Sequence, residues 1–262
     1  MTKGEKIMRT TAILNLKGGV GKTTTVIHMA NILHRDYGSR VLVVDCDHQH
    51  NLTQFFCADP KKGSTTKVLT MGWHDGISTG LIQQTETEGV DILAADDSLM
   101  ALDLSQLKTD SVKSYCFRMM VLELGRLESY DYILFDCPPA FNAACAAALI
   151  AADDVVIPIE LDAFSIDGMG NIIQQVDNMR RLNNRLRVAG VLPTKWYKDD
   201  TIMDAESILR QSALNVFPRI RYSKRMKAVT FSRELSGKKT APMRDYGLFV
   251  GQYVKQGGCW NG

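Results

Sequence analysis

The chain has 262 residues, 45% of them hydrophobic and 23% charged, with a formal net charge of +2. This composition excludes a disordered or collagen-like chain, and so balanced a total charge names no partner by itself; only local clustering could do that. Six cysteines (Cys46, Cys57, Cys116, Cys137, Cys145 and Cys259) show no C-x-x-C pair and no zinc spacing. They read as buried or half-buried free thiols in a reducing cytosol rather than as a disulfide framework.

A short charged lead (Lys3, Glu5, Lys6, Arg9) runs into a strand expected over residues 10–16, leaving no expected room for a signal peptide. Residues 17–25 then read Lys-Gly-Gly-Val-Gly-Lys-Thr-Thr-Thr. Gly18, Gly19 and Gly21 have no Cβ, so this backbone can curl and aim successive N–H groups, including those around Val20 and Thr24, at an anion. Lys22 supplies a full charge, the Thr23 hydroxyl is placed to ligate Mg²⁺, and the following helix adds its positive end. That helix is expected over residues 22–37, with Val26, Ile27, Ala30 and Leu33 at helical spacing and Gly38 as its stop. The usual phosphate-loop pattern places a glycine where this chain has Leu16, and a second lysine, Lys17, follows it.

Residues 40–45 form a β-branched run that ends in Asp45, with Asp47 two positions later; residues 132–136 repeat the design and end in Asp136. Carboxylates at strand ends beside a phosphate loop are suited to holding the waters of Mg²⁺. Residues 59–79, polar and turn-rich around Trp73, read as a surface excursion. Further strands are expected over 155–159 and 186–192, and helices over 98–107, 112–127, 141–152, 166–183 and 201–212. The near-apolar run 143–152 is too short to cross a bilayer. Buried strands alternating with helices predict an α/β fold: a mostly parallel twisted sheet flanked by helices on both faces, in a single domain over 1–262. From Arg219 to Lys239 eight cations (Arg219, Arg221, Lys224, Arg225, Lys227, Arg233, Lys238, Lys239) face one acid, Glu234. Such a patch suits a phosphate backbone.

The loop with its extra Lys17 resembles the signature of the ParA/MinD family of P-loop ATPases. Asp45-Cys-Asp-His-Gln-His-Asn51 is similar to that family's switch I segment, D-x-D-P-Q-G-N, and Asp136-Cys-Pro-Pro139 to its Walker B and switch II start. The resemblance implies ATP and Mg²⁺ as cofactors and a homodimer that sandwiches two ATP molecules. Lys17 would act on the partner's nucleotide and Lys22 on its own, Thr23, Asp45 and Asp136 would surround the metal, and Asp47 would orient the attacking water. It further implies Pro218 and Arg219 on the adenine side, and Arg221 as a contact for non-specific DNA, with Lys224, Arg225 and Lys227 beside it. A second family DNA contact falls on Asp199 or Asp200, with Lys195 and Lys198 as candidate replacements. His48 and His50 stand in place of proline and glycine, which predicts a stiffer switch I; Asp47, His48 and His50 could alternatively be read as a metal site.

The leading expectation is a ParA-like partition ATPase without an N-terminal DNA-reading domain. It would be slow alone, stimulated by a ParB-like centromere-binding protein, cytoplasmic, and nucleoid-associated when ATP-bound. Three other readings remain: a MinD-like ATPase held to membrane by its C-terminal residues, a nucleotide-gated scaffold with little hydrolysis, and an iron–sulfur reductase using Cys116 and Cys137. Paired glycines and a single lysine over residues 253–262 make membrane binding the poorer expectation.

Overall fold

The computed structural model describes residues 8–74, 78–102, 114–226 and 240–257, without the side chains of 163–167. Lys227, Arg233, Glu234, Lys238, Lys239, Cys259 and the second half of the helix expected over 98–107 lie outside the described residues. Seven strands form one sheet: β1 (Arg9–Ile13), β2 (Val41–Asp45), β3 (Gln83–Gln84), β4 (Val90–Leu93), β5 (Tyr132–Asp136), β6 (Asp154–Glu160) and β7 (Arg187–Thr194). Their order is β3-β4-β2-β5-β1-β6-β7, all parallel except the edge strand β3.

The apolar strand runs alternate between two cores, as the two-residue period of a strand requires. Ala12, Leu42, Val44, Ile133 and Phe135 enter one core with α4 (Cys116–Arg126) and α5 (Ala143–Ala151). Ile13, Val41, Val43, Tyr132 and Leu134 enter the other with α1 (Lys22–Tyr37) and the C-terminal helix. Between these lie α2 (Asn51–Phe55), α3 (Thr65–Met71), α6 (Ala163–Met179) and α7 (Asp200–Gln211); α8 (Ala241–Gln256) closes the chain. Gly38 ends α1 in the left-handed region (φ 63°), its N–H bonded to the His34 carbonyl at 2.8 Å.

The described part of residues 59–79 is more deeply anchored than the surface excursion its composition suggests. Ser64 caps α3 and pairs with Ala94, and the Thr65 hydroxyl donates to the Asp45 carbonyl at 2.6 Å. Trp73 is buried, its indole N–H bonded to the Glu123 carboxylate. Five elements have no counterpart among those expected: the short α2, α3 and β3, then β4, which has only four residues, and α8, whose Met243, Tyr246, Phe249, Val250, Tyr253 and Val254 are all buried. Of the helix expected over 98–107, the described part is a 3-10 turn, Asp97–Ala101.

Helix α8 is fastened at the end of the sheet where the strands begin. Asp154 is fully buried and accepts from Arg9 Nε (2.5 Å), Arg187 Nε (2.7 Å) and the Tyr253 hydroxyl (3.0 Å). Arg9 also lies over the Tyr253 ring, 3.6 Å from its centroid, and donates to the Tyr253 carbonyl at 2.7 Å. Removing one member of a buried ion pair strands the other charge, at about 3–5 kcal/mol. Asp154→Ala is therefore expected to lower unfolding stability by about that much in urea titration. Tyr253→Phe, which deletes a single hydroxyl, should cost only about 1 kcal/mol; equal losses would show that the clamp is not the origin.

Candidate functional site

The glycine loop leaves β1 at the carboxyl end of the sheet and is tied down on both shoulders. Asn15 donates its side-chain N–H to the Pro158 carbonyl (2.7 Å) and accepts the Lys17 N–H (2.8 Å). The Thr194 hydroxyl donates to the Val20 carbonyl at 2.8 Å. Gly19 (φ 75°) and Gly21 (φ 91°) occupy the left-handed region, which explains glycine at both. Gly18 has neither a positive φ nor any atom within 4 Å of where a Cβ would stand, so the protein itself makes no demand there. What a side chain would enter is the cradle. Gly21 precedes α1 without a side-chain cap, leaving the first-turn N–H groups for a ligand.

The loop forms one wall of a cavity of about 600 Å³, through Gly18, Gly19 and residues 21–24. The facing wall comes from Asp47, Gln49, Asn51, Gln54 and Phe55, with Pro139 beside it. Lys22 is buried, and its ammonium folds back to donate to the Lys17 carbonyl at 3.0 Å. Burial lowers its pKa, while the nearby Asp136 and, more weakly, Asp47 oppose the shift.

Asp45 and Asp136 are register partners at the ends of β2 and β5. They differ in what holds them. One Asp45 oxygen accepts the Thr53 N–H (2.9 Å) and hydroxyl (2.7 Å), and the other accepts the Asp47 N–H (3.1 Å). Its pKa is raised to about 6 by burial, with the Thr53 bonds pulling it back. Both oxygens of Asp136 are buried without a hydrogen-bond partner. Burial, then the Asp45 charge, pushes its pKa well above the usual carboxylate range, against the Thr23 hydroxyl and the Lys22 charge. A buried carboxylate left unsatisfied beside a hydroxyl fits a hydrated divalent cation. Asp136 and Thr23 thus offer the metal-facing atoms, while Asp45 holds the segment that carries Asp47.

That segment departs from its expected behaviour. His50 adopts φ 42°, a left-handed conformation, even though it has a side chain. The turn therefore keeps the shape a glycine would adopt more readily, and it carries strain at His50. Asp47 accepts the Gln49 N–H at 3.0 Å, and His48 Nδ1 stands 3.6 Å from the same carboxylate. His50 Nδ1 instead faces the His48 carbonyl (2.9 Å) and Asp97 (3.5 Å). Among the described residues no group of three His, Cys, Asp or Glu side chains is placed to hold a metal, which removes the Asp47–His48–His50 reading. Cys46, Cys116, Cys137 and Cys145 are buried free thiols, and Cys57 is an exposed one.

Other candidates lie apart from the cavity. Lys17 is not in its wall; the side chain is 42% exposed and bonded to Asp162. Pro218 and Arg219 do not line it either: Arg219 pairs with Glu206 at 2.7 Å and lies 3.7 Å over the Trp196 ring. Arg221 is held by Asp245 of α8 in a bidentate pair, Nε at 2.9 Å and Nη2 at 2.7 Å. Lys224 and Arg225 are exposed, with no ion pair among the described residues. Lys195 pairs with Glu160 at 2.9 Å, and Asp199 caps α7. Sequence reading missed Gln49, Asn51, Gln54 and Phe55 as cavity residues; the available signal was their place in the run directly after Asp47.

Residues 8–188 match the AAA domain family. The chromosome partitioning protein ParA of Caulobacter vibrioides is 31% identical over 199 residues, spanning 75% of this chain and 73% of its own length. The sporulation initiation inhibitor protein Soj of Bacillus subtilis is 34% identical over 184 residues, 70% of this chain and 71% of its own. Among solved structures, the cobyrinic acid a,c-diamide synthase of Mycobacterium smegmatis with bound ADP and magnesium is 26% identical. It superposes with a TM-score of 0.79 over 97% of this chain and 96% of that one.

The unsatisfied carboxylate can be tested without any ligand. In the presence of a chelator, Asp136→Asn should stabilise the protein by about 1–3 kcal/mol, since it removes a buried charge that Lys22 and the Thr23 hydroxyl offset only in part. A raised folded-state pKa means the wild type loses stability as pH rises above the ordinary aspartate value of about 3.9. The advantage of the variant should therefore grow with pH in urea titrations. A variant less stable than wild type at neutral pH would show that Asp136 is already satisfied.

Proposed function

The chain belongs to the ParA/MinD family of P-loop ATPases, and we propose that it is a partition ATPase. It forms an ATP-sandwich homodimer with Mg²⁺, binds DNA non-specifically as that dimer, and is reset by hydrolysis to ADP and phosphate. The observation that carries this reading is the divergence of two lysines on one loop. Lys22 is drawn into the loop of its own chain, whereas Lys17 flanks the cradle without lining it. A cation beside a phosphate cradle, yet outside its wall, is suited to phosphates held by a second copy. Gly18, Gly19, Val20, Gly21 and Thr24 present backbone N–H groups to the phosphates, and Pro218 and Arg219 lie on the adenine side.

Mg²⁺, held by Thr23 and Asp136 with Asp45 behind them, would offset phosphate charge when bound. Asp47 orients the attacking water. Catalysis on this reading is positioning and charge neutralisation, so turnover is slow until a ParB-like partner stimulates it. The protein works in the cytoplasm and associates with the nucleoid when ATP-bound. For DNA, Lys224 and Arg225 are the available cations, with Lys227 next in sequence. Arg221 contributes once it shares or leaves Asp245. Against a MinD-like membrane anchor stands the buried apolar face of α8, engaged in the core as far as Val254. No helix among the described residues is long and apolar enough to cross a membrane.

With ATP and Mg²⁺, wild-type protein should shift from monomer to dimer in light scattering coupled to size exclusion. Lys17→Ala should bind ATP but remain monomeric, and Lys22→Ala should lose ATP binding. In DNA titrations across a salt series, Arg225→Glu should weaken binding and reduce the salt slope by about one. Dimerisation of Lys17→Ala at the wild-type ATP concentration would sink the two-lysine reading.

A further inference from the structure

One surface of the chain sets aromatic rings among its cations, and duplex phosphates do not account for them. The segment after β7 runs beside residues 219–223. Trp196 N–H donates to the Ile220 carbonyl at 2.9 Å and Tyr222 N–H to the Trp196 carbonyl at 2.7 Å, a parallel bridge that pairs Trp196 with Arg221. Side chains alternate along paired backbones, so Tyr197 and Tyr222, each one residue past the bridge, leave the side that Trp196 and Arg221 share. That side is closed, with Arg219 over the indole and Arg221 clamped to Asp245. The tyrosines are open: Tyr197 is 55% and Tyr222 45% exposed.

Scattered exposed aromatics are ordinary, but these two stand on neighbouring backbones, one residue past the same bridge. Lys198, Lys224 and Arg225 stand next to these tyrosines in sequence, all exposed and without an ion pair among the described residues. The opposing charges are on α7. Asp199 accepts the N–H groups of Thr201 (3.0 Å) and Ile202 (3.3 Å), where the helix end offsets its charge; Asp200 and Asp204 follow within the same helix. Flat apolar rings with a cationic margin match a chain of phosphates whose bases are free to stack. A duplex keeps its base faces inside its own stack and offers a tyrosine only edges and backbone, whereas a single strand offers the faces.

We propose that Tyr197 and Tyr222 form a stacking platform for the unpaired bases of single-stranded DNA, with Lys198, Lys224 and Arg225 contacting its phosphates. The cations, but not the rings, are shared with the DNA-binding reading given above.

The test titrates the full-length protein, with ATP and Mg²⁺, against a labelled oligo(dT) strand and a labelled duplex of the same length. Stacking is worth enough per base that Tyr197→Ala and Tyr222→Ala should each weaken oligo(dT) binding about tenfold. Duplex affinity should be unchanged, and Tyr197→Phe and Tyr222→Phe, which keep the rings, should bind oligo(dT) as the wild type does. Wild-type oligo(dT) affinity in the alanine variants, or an equal loss on duplex, would overturn the platform. Absence of duplex binding by the wild type would instead defeat the DNA reading, because the oligo(dT) arm is read independently.

Discussion

The site is governed by charge buried at the ends of adjacent parallel strands. Lys22, Asp45, Asp47 and Asp136 are all buried, so one ammonium faces three carboxylates that water, reaching only Lys22 and Asp47 from the cavity, screens weakly. Fully ionised, that set carries two excess negative charges, the complement of one divalent cation. Without a cation the protein has only partial remedies. Asp45 takes three hydrogen bonds from Thr53 and Asp47, Lys22 lends its charge, and burial favours protonated carboxylates. Asp136 receives least, and its orphaned oxygens are where the deficit collects. Such a site is poised for metal because its own charges do not balance.

The same imbalance explains the order of the switch segment. Asp45 is not free to act solely as a metal neighbour, because its carboxylate is the point to which Thr53 and the Asp47 backbone are tied. This anchors α2, and α2 brings Gln54 and Phe55 to the cavity. The left-handed His50 is the turn that lets the chain pass from Asp47 to α2 in so few residues. A charged strand end therefore shapes the wall opposite the glycine loop, and strain at one histidine accompanies that geometry.

What was legible in the sequence follows from how local each signal is. The runs 40–45 and 132–136 are β-branched and continuous, and the glycine loop is fixed by its own backbone, so these positions emerge without tertiary knowledge. Strand β4 has only four residues and one of them is Asp91, too little to carry a period. Trp73 sits in polar surroundings along the chain, yet its burial depends on Glu123, fifty residues away. Charge counting fails in the same manner. Eight cations against one acid along residues 219–239 look like a strong patch, but Arg219 and Arg221 are taken by Glu206 and Asp245, neither of which lies in that stretch.

The end of β6 connects the two surfaces on which the functional readings depend. The Pro158 carbonyl receives the Asn15 N–H, and the single Thr194 hydroxyl proton is shared between the Val20 carbonyl (2.8 Å) and the Ile159 carbonyl (3.1 Å), so both shoulders of the glycine loop reach this strand. Glu160 then holds Lys195 at 2.9 Å, at the start of the segment leading to Trp196 and Tyr197. Asp162, two residues further, holds Lys17. Two backbone carbonyls and two carboxylates within residues 158–162 thus reach the phosphate loop, the lysine assigned to a second copy, and the segment leading to the aromatic platform. If Lys17 leaves Asp162 to meet a partner's phosphates, the freed carboxylate lies two residues past the end of the strand whose Glu160 holds Lys195. Nucleotide state and nucleic-acid surface then need no long relay between them, since packed elements that share one strand end move as a unit or not at all.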